Sequence, residues 1–94
     1  MSSIAVIIVN YGTADLSIAG VDSVLARGHG DHRVEIHLLD NASPGGDGAR
    51  LAQAHRARGW GGRVSLWQER TNHGFGRANN LVIRALAGRD EAPD

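Results

Sequence analysis

Three short runs in this 94-residue chain hold the side chains best suited to recognising a small polar molecule: Asn10-Tyr11-Gly12, Asp40-Asn41-Ala42-Ser43, and the stretch from Arg70 to Gly76 around Asn72. Asp40 is an acceptor-only carboxylate, which suits ribose hydroxyls, while the amides of Asn10, Asn41 and Asn72 both donate and accept, as the edge of a base requires. Tyr11 adds a ring face. Each residue also has a plain structural use: Asp40 and Asn41 as turn and capping residues, Tyr11 as packing, Asn79 and Asn80 as exposed helix amides. Their meeting at one edge is what argues for a site.

The elements that would bring them together follow from the apolar pattern. Residues 4–9 (IAVIIV) are continuously apolar and β-branched, the mark of a strand covered on both faces at the centre of a parallel sheet. Asn10-Tyr11-Gly12-Thr13 breaks that run, with Thr13 placed as an N-cap and Asp15 in the first turn. A helix is expected from about Ala14 to Arg27, with Ile18, Val21 and Leu25 on its apolar stripe and Gly28 as its stop. Residues 29–33 read as a polar connection and 34–39 as a second strand. Residues 40–48, dense in turn formers, read as irregular. A modest second helix is expected over about 49–58, ended by Gly59-Trp60-Gly61-Gly62, then a third strand over 63–68 and a third helix over about 75–86 with Leu81, Val82, Ala85 and Leu86 buried. Residues 88–94 read as a frayed polar tail.

The order β-α-β-α-β-α predicts an α/β fold: a three-layer α/β/α open parallel sheet in one domain, residues 1–94. Ligands of such sheets bind outside the carboxyl ends of the strands, where loops converge and helix N-termini point free amides. The three polar runs all fall at that edge.

Composition narrows the function. Ten Arg balance ten Asp and Glu, so no net field draws the chain to nucleic acid or anionic lipid. The absence of Cys removes disulfides, thiolate metal sites and a thiol nucleophile. No positively charged segment precedes the six apolar residues 4–9, which are too few to span a bilayer, so the expected location is cytoplasmic.

The runs VIIVNYGT (6–13), LLDNAS (38–43) and NHGFGRANN (72–80), in that order, resemble the opening of a family 2 glycosyltransferase, especially its rhamnosyltransferase-like members of polysaccharide or cell-wall biosynthesis. The resemblance covers about residues 4–86. It implies the N-terminal half of a GT-A (Rossmann-like) fold that binds the nucleotide of a UDP- or dTDP-sugar for inverting transfer to an acceptor hydroxyl. By that resemblance Asn10 and Tyr11 border the base and Asp40 bonds the base or ribose. Asn41 and Asn72 belong to the same pocket, Gly74 and Phe75 complete it, and Asn80 braces the third helix against the first loop. It further implies a divalent metal, Mn or Mg, on the diphosphate, held by an Asp-x-Asp motif after a fourth strand. This chain has no residues matching those ligands and none matching the catalytic carboxylate, so it is expected to be inactive alone. In the family that fourth strand pairs with the first strand. Without it, residues 4–9 form an unprotected edge, and a homodimer through two antiparallel first strands is expected.

Other readings carry less. Gly74-Phe75-Gly76 begins a G-x-G-x-x-G dinucleotide motif, but Asn79 stands at its third Gly. Gly45-Gly46-Asp47-Gly48 lacks the Lys and Ser/Thr of a phosphate loop, and a zinc site from His29, His32 and His37 has no Cys support. A non-catalytic nucleotide-binding or interaction fragment is the alternative function.

Overall fold

The structure is a computed structural model that describes residues 3–27 and 33–88. Its elements are β1 (Ser3–Asn10), α1 (Ala14–Ala26), β2 (Arg33–Asn41), α2 (Asp47–Ala57), a short 3-10 turn (Gly61–Arg63), β3 (Val64–Glu69) and α3 (Phe75–Ala87). The three strands form one parallel sheet in the order β1-β2-β3, with Asn10 beside Asp40 and Asn41 beside Glu69 at its carboxyl end. The expected α/β order therefore stands. No helix among the described residues is long and apolar enough to cross a membrane.

Both faces of the sheet are covered, which suits the unbroken apolar run of β1. Ile36, Leu38 and Val64 turn toward α1 and α2, where Ala14, Ile18, Val21, Leu51 and Ala54 complete one core. Leu39, one residue on, turns to the other face and packs with Ala78, Val82 and Leu86 of α3, with Ala5, Ile7, Val9 and Trp67 beside it. Three layers result. β2 is the central strand; β1 is an edge, as the dimer reading expected, although its apolar run alone pointed to the centre. Apolar side chains report covered faces, whereas edge or centre is decided by backbone pairing.

Other departures have local causes. β2 runs on through Asp40 and Asn41 because both pair with β3, at Gln68 and Glu69. α2 begins at Asp47, two residues early, because Gly45 and Gly46 both take positive φ and turn the chain directly into the helix. Arg63 belongs to the 3-10 turn and not to β3. Ala85, expected on the buried face of α3, is exposed. Trp60 is 2% exposed, a core residue where a loop was expected. Its ring meets His55 edge-on and its Nε1–H donates to Asp22 at 3.3 Å. The proposed helix stop Gly28, the connection through His32 and the tail 89–94 lie outside the described residues.

Candidate functional site

β1 ends at Asn10 and β2 at Asn41, and these two amides organise the carboxyl edge. Asn10 is fully buried. Its Nδ2 donates to Asp40 Oδ1 (3.0 Å), Ser43 Oγ (3.2 Å) and Asp47 Oδ2 (3.2 Å), so its two protons serve three acceptors. Its Oδ1 accepts from Ser17 Oγ (2.6 Å) and Thr13 Oγ1 (3.3 Å). Ser43 closes the ring, donating to Asp40 Oδ1 (2.5 Å) and accepting from the Gly12 N–H (2.9 Å). One amide thus ties β1, the start of α1, the loop after β2 and the start of α2. Thr13 stands at the N-cap of α1, but its hydroxyl serves Asn10 and makes no cap bond.

Asn41 does the same work on the opposite face. Its Oδ1 accepts from the His73 N–H (2.9 Å) and its Nδ2 donates to Asn72 Oδ1 (3.2 Å), which also receives the Gly74 N–H (2.7 Å). His73 then meets Glu69 through its ring, Nε2 to Oε1 at 3.2 Å. The adjacent residues Asp40 and Asn41 point to opposite faces of β2, so one dipeptide anchors both flanking loops.

The seven candidate residues thus divide in two. Asn10, Asp40 and Asn41 are buried, with side chains bonded inside the protein, and Asn72 is an exposed member of the second network. Tyr11, in the loop after β1, and Phe75, the first residue of α3, are exposed at 52% and 71%. Gly74 joins the groups: at φ 76 and ψ 162 it takes a conformation almost confined to glycine, and a Cβ there would meet open space. Its requirement for glycine within the chain is conformational. Ala42, at φ 59, is the one described non-glycine residue with positive φ, and it lies between Asn41 and Ser43 in the same loop cluster. Asn80 does not brace the β1 loop. It is exposed on α3, where it lines a groove with His73, Arg77, Leu81 and Arg84.

Between the N-termini of α1 and α2 lies a cleft of about 290 Å³ lined by Gly12, Thr13, Ala14, Asp15, Leu16, Asp47 and Arg50. Asp15 pairs with Arg50 and Asp47 accepts from Asn10, so both carboxylates are already engaged. The cleft does not fit a divalent cation, and among the described residues no group of three or more His, Asp or Glu side chains is placed to hold one. Of the three histidines weighed for zinc, His37 is buried in β2 with its Nδ1 accepting from Trp67 Nε1–H (3.1 Å), while His29 and His32 lie outside the described residues.

Ser17 and Asp47 complete the Asn10 network, yet nothing in the local sequence marks them, because their role is set by which helix starts abut β1. Ser43 belongs to the LLDNAS run. What this edge offers a ligand is two exposed rings, the polar backbone of two loops, and a rigid bonded floor beneath them. Neither a protein-family model nor a curated protein matches the chain.

Proposed function

We propose that the chain binds the nucleotide of an activated sugar at the carboxyl edge of its sheet, as the nucleotide-binding portion of a GT-A glycosyltransferase of family 2. The observation that supports this reading is the convergence of all three motif runs on one edge: the two aromatic rings stay open to solvent, while the polar residues between them are locked by hydrogen bonds. A preorganised floor keeps ordering costs low when a ligand arrives. The exposed rings offer faces on which a planar base can stack.

The roles of the residues follow from their burial. Tyr11 and Phe75 contact the base directly. Asp40, buried with its Oδ1 taken by Asn10 and Ser43, is assigned to a base or ribose donor through Oδ2, which lies beside Gly48. Asn10, Asn41 and Asn72 act through position, by fixing the loop that carries Tyr11 and the loop that leads into Phe75.

An NMR titration of the 94-residue chain with UDP, dTDP and NAD tests the reading. The expected result is saturable shifts with UDP or dTDP at the amides of Gly12, Ala42 and Gly74, lost in Tyr11→Ala with the fold intact by circular dichroism. Stronger shifts with NAD, or shifts indifferent to Tyr11→Ala and Phe75→Ala alike, would sink it.

A further inference from the structure

Gly48, the second residue of α2, is a poor helix former where the backbone does not call for glycine: Gly45 and Gly46 take positive φ, and Gly48 does not. What excludes a side chain there is a pair of oxygens. A Cβ on Gly48 would lie 3.1 Å from Gln68 Oε1 and 3.2 Å from Asp40 Oδ2, the closest approach at any described glycine. Such spacing crowds a carbon atom but is ordinary between a hydrogen-bond donor and its acceptor.

The register of the sheet makes the pair. Asn10 stands beside Asp40 and Asp40 beside Gln68, so the three side chains leave the carboxyl ends of their strands on one face. Gln68 is exposed, and its Nε2 donates to Gly48 O at 2.9 Å, which leaves Oε1 as an acceptor. Asp40 Oδ1 receives the Asn10 and Ser43 donors, and no described residue donates to Oδ2. Oδ2 is not sealed from solvent: among the described residues the buried side-chain polar atom left without a partner is His37 Nε2, on the opposite face of β2.

Two acceptors that share no donor and meet over a residue with no side chain suit a ligand group that carries two donors close together. We infer that this group is the ribose of the nucleotide: its 2′- and 3′-hydroxyls donate to Asp40 Oδ2 and Gln68 Oε1, and the bare Cα of Gly48 leaves room for the sugar. The inference rests on the nucleotide site proposed above and adds a preference for ribonucleotides over deoxyribonucleotides, with Gln68 and Gly48 as its determinants. A uracil or thymine edge fits the pair less well. It carries one N–H between two carbonyls, so it serves one acceptor and turns a carbonyl oxygen toward the other. A ribose that lacks a hydroxyl leaves one of the two acceptors without its donor.

NMR titration of the 94-residue chain with UDP, 2′-deoxy-UDP and 2′,3′-dideoxy-UDP tests this, since the three share a base and a diphosphate. Affinity is expected to fall at each step, by about tenfold or more from first to last, with shifts at the Gly48 and Gln68 amides that shrink in the same order. Gln68→Leu, at an exposed position, weakens UDP and leaves dideoxy-UDP unchanged. Gly48→Ala does the same, with the fold verified by circular dichroism. Equal binding of all three nucleotides, lost together in Tyr11→Ala, would overturn the ribose assignment and leave the nucleotide site standing, whereas binding of none would overturn both. Tighter binding of dGDP than of UDP would give the acceptor pair to the two N–H groups of a guanine edge and would also overturn the assignment.

Discussion

Asn10 is a polar side chain with no exposed surface, so its place in the core rests wholly on its bonds to Asp40, Ser43, Asp47, Ser17 and Thr13. Removing one member of a buried network leaves the others desolvated and unpaired, at roughly 1–3 kcal/mol for each group left without a partner. Asn10→Ala is therefore expected to cost about 3 kcal/mol in urea unfolding, and Asn10→Asp no less, since a second carboxylate beside Asp40 would face repulsion in place of an N–H donor. Gly74 fails for a different reason. Open space surrounds it, so Gly74→Ala meets no clash, yet its φ and ψ are held by the Asn72 turn below it. The strain should lower stability by about 1–3 kcal/mol. A Gly74→Ala chain that melts at the wild-type temperature would show that the loop relaxes freely.

At the scale of elements, Trp60 decides how α2 joins β3. It fills the core between α1, α2 and β3 while its indole N–H reaches Asp22 on α1. Trp60→Ala should cost about 3–5 kcal/mol, the range for truncating a buried aromatic residue, a large share of the marginal stability of so small a domain. Trp60→Phe keeps most of the packing and should cost about half as much, as read from chemical denaturation midpoints. The ion pairs Asp15–Arg50 and Asp22–Arg58 join the same two helices but lie at the surface, where such pairs contribute about 0–1 kcal/mol. Raising salt should barely move the melting temperature, and a large salt-dependent loss would mean that these pairs hold α1 to α2.

Across the whole molecule, β2 is the strand with neighbours on both sides and covered faces above and below. Its amides at Ile36 to Leu39 should exchange with solvent only through global unfolding, while those at the loops around Gly12 and Gly74 exchange through local opening. Exchange of the β2 amides at loop rates would contradict a cooperative single core. The candidate site residues fall at the sheet's carboxyl edge, and among the described residues every exposed large hydrophobic residue falls on β1, its following loop, α1 or α3.

The order of elements was legible in the sequence because apolar periodicity and glycine breaks act locally: 4–9 had to be a strand, 75–86 a helix, and Gly45-Gly46 a turn wherever they sat in space. The edge where the polar runs meet was legible too, since parallel crossovers send all strand ends the same way. Three matters were decided only by the tertiary structure. The apolar run of 4–9 alone pointed to a central strand, yet β2 holds that place because strand neighbours are chosen by non-local backbone pairing, which side-chain pattern does not encode. Trp60 entered the core because glycines on either side mark a turn locally, while the gap it fills exists only once α2 and β3 have docked. Asn10 and Asn41 turned inward because their partners at Ser17, Asp47 and His73 are brought to them by helix starts and loops distant in the chain, and an amide takes whichever donors and acceptors the fold delivers.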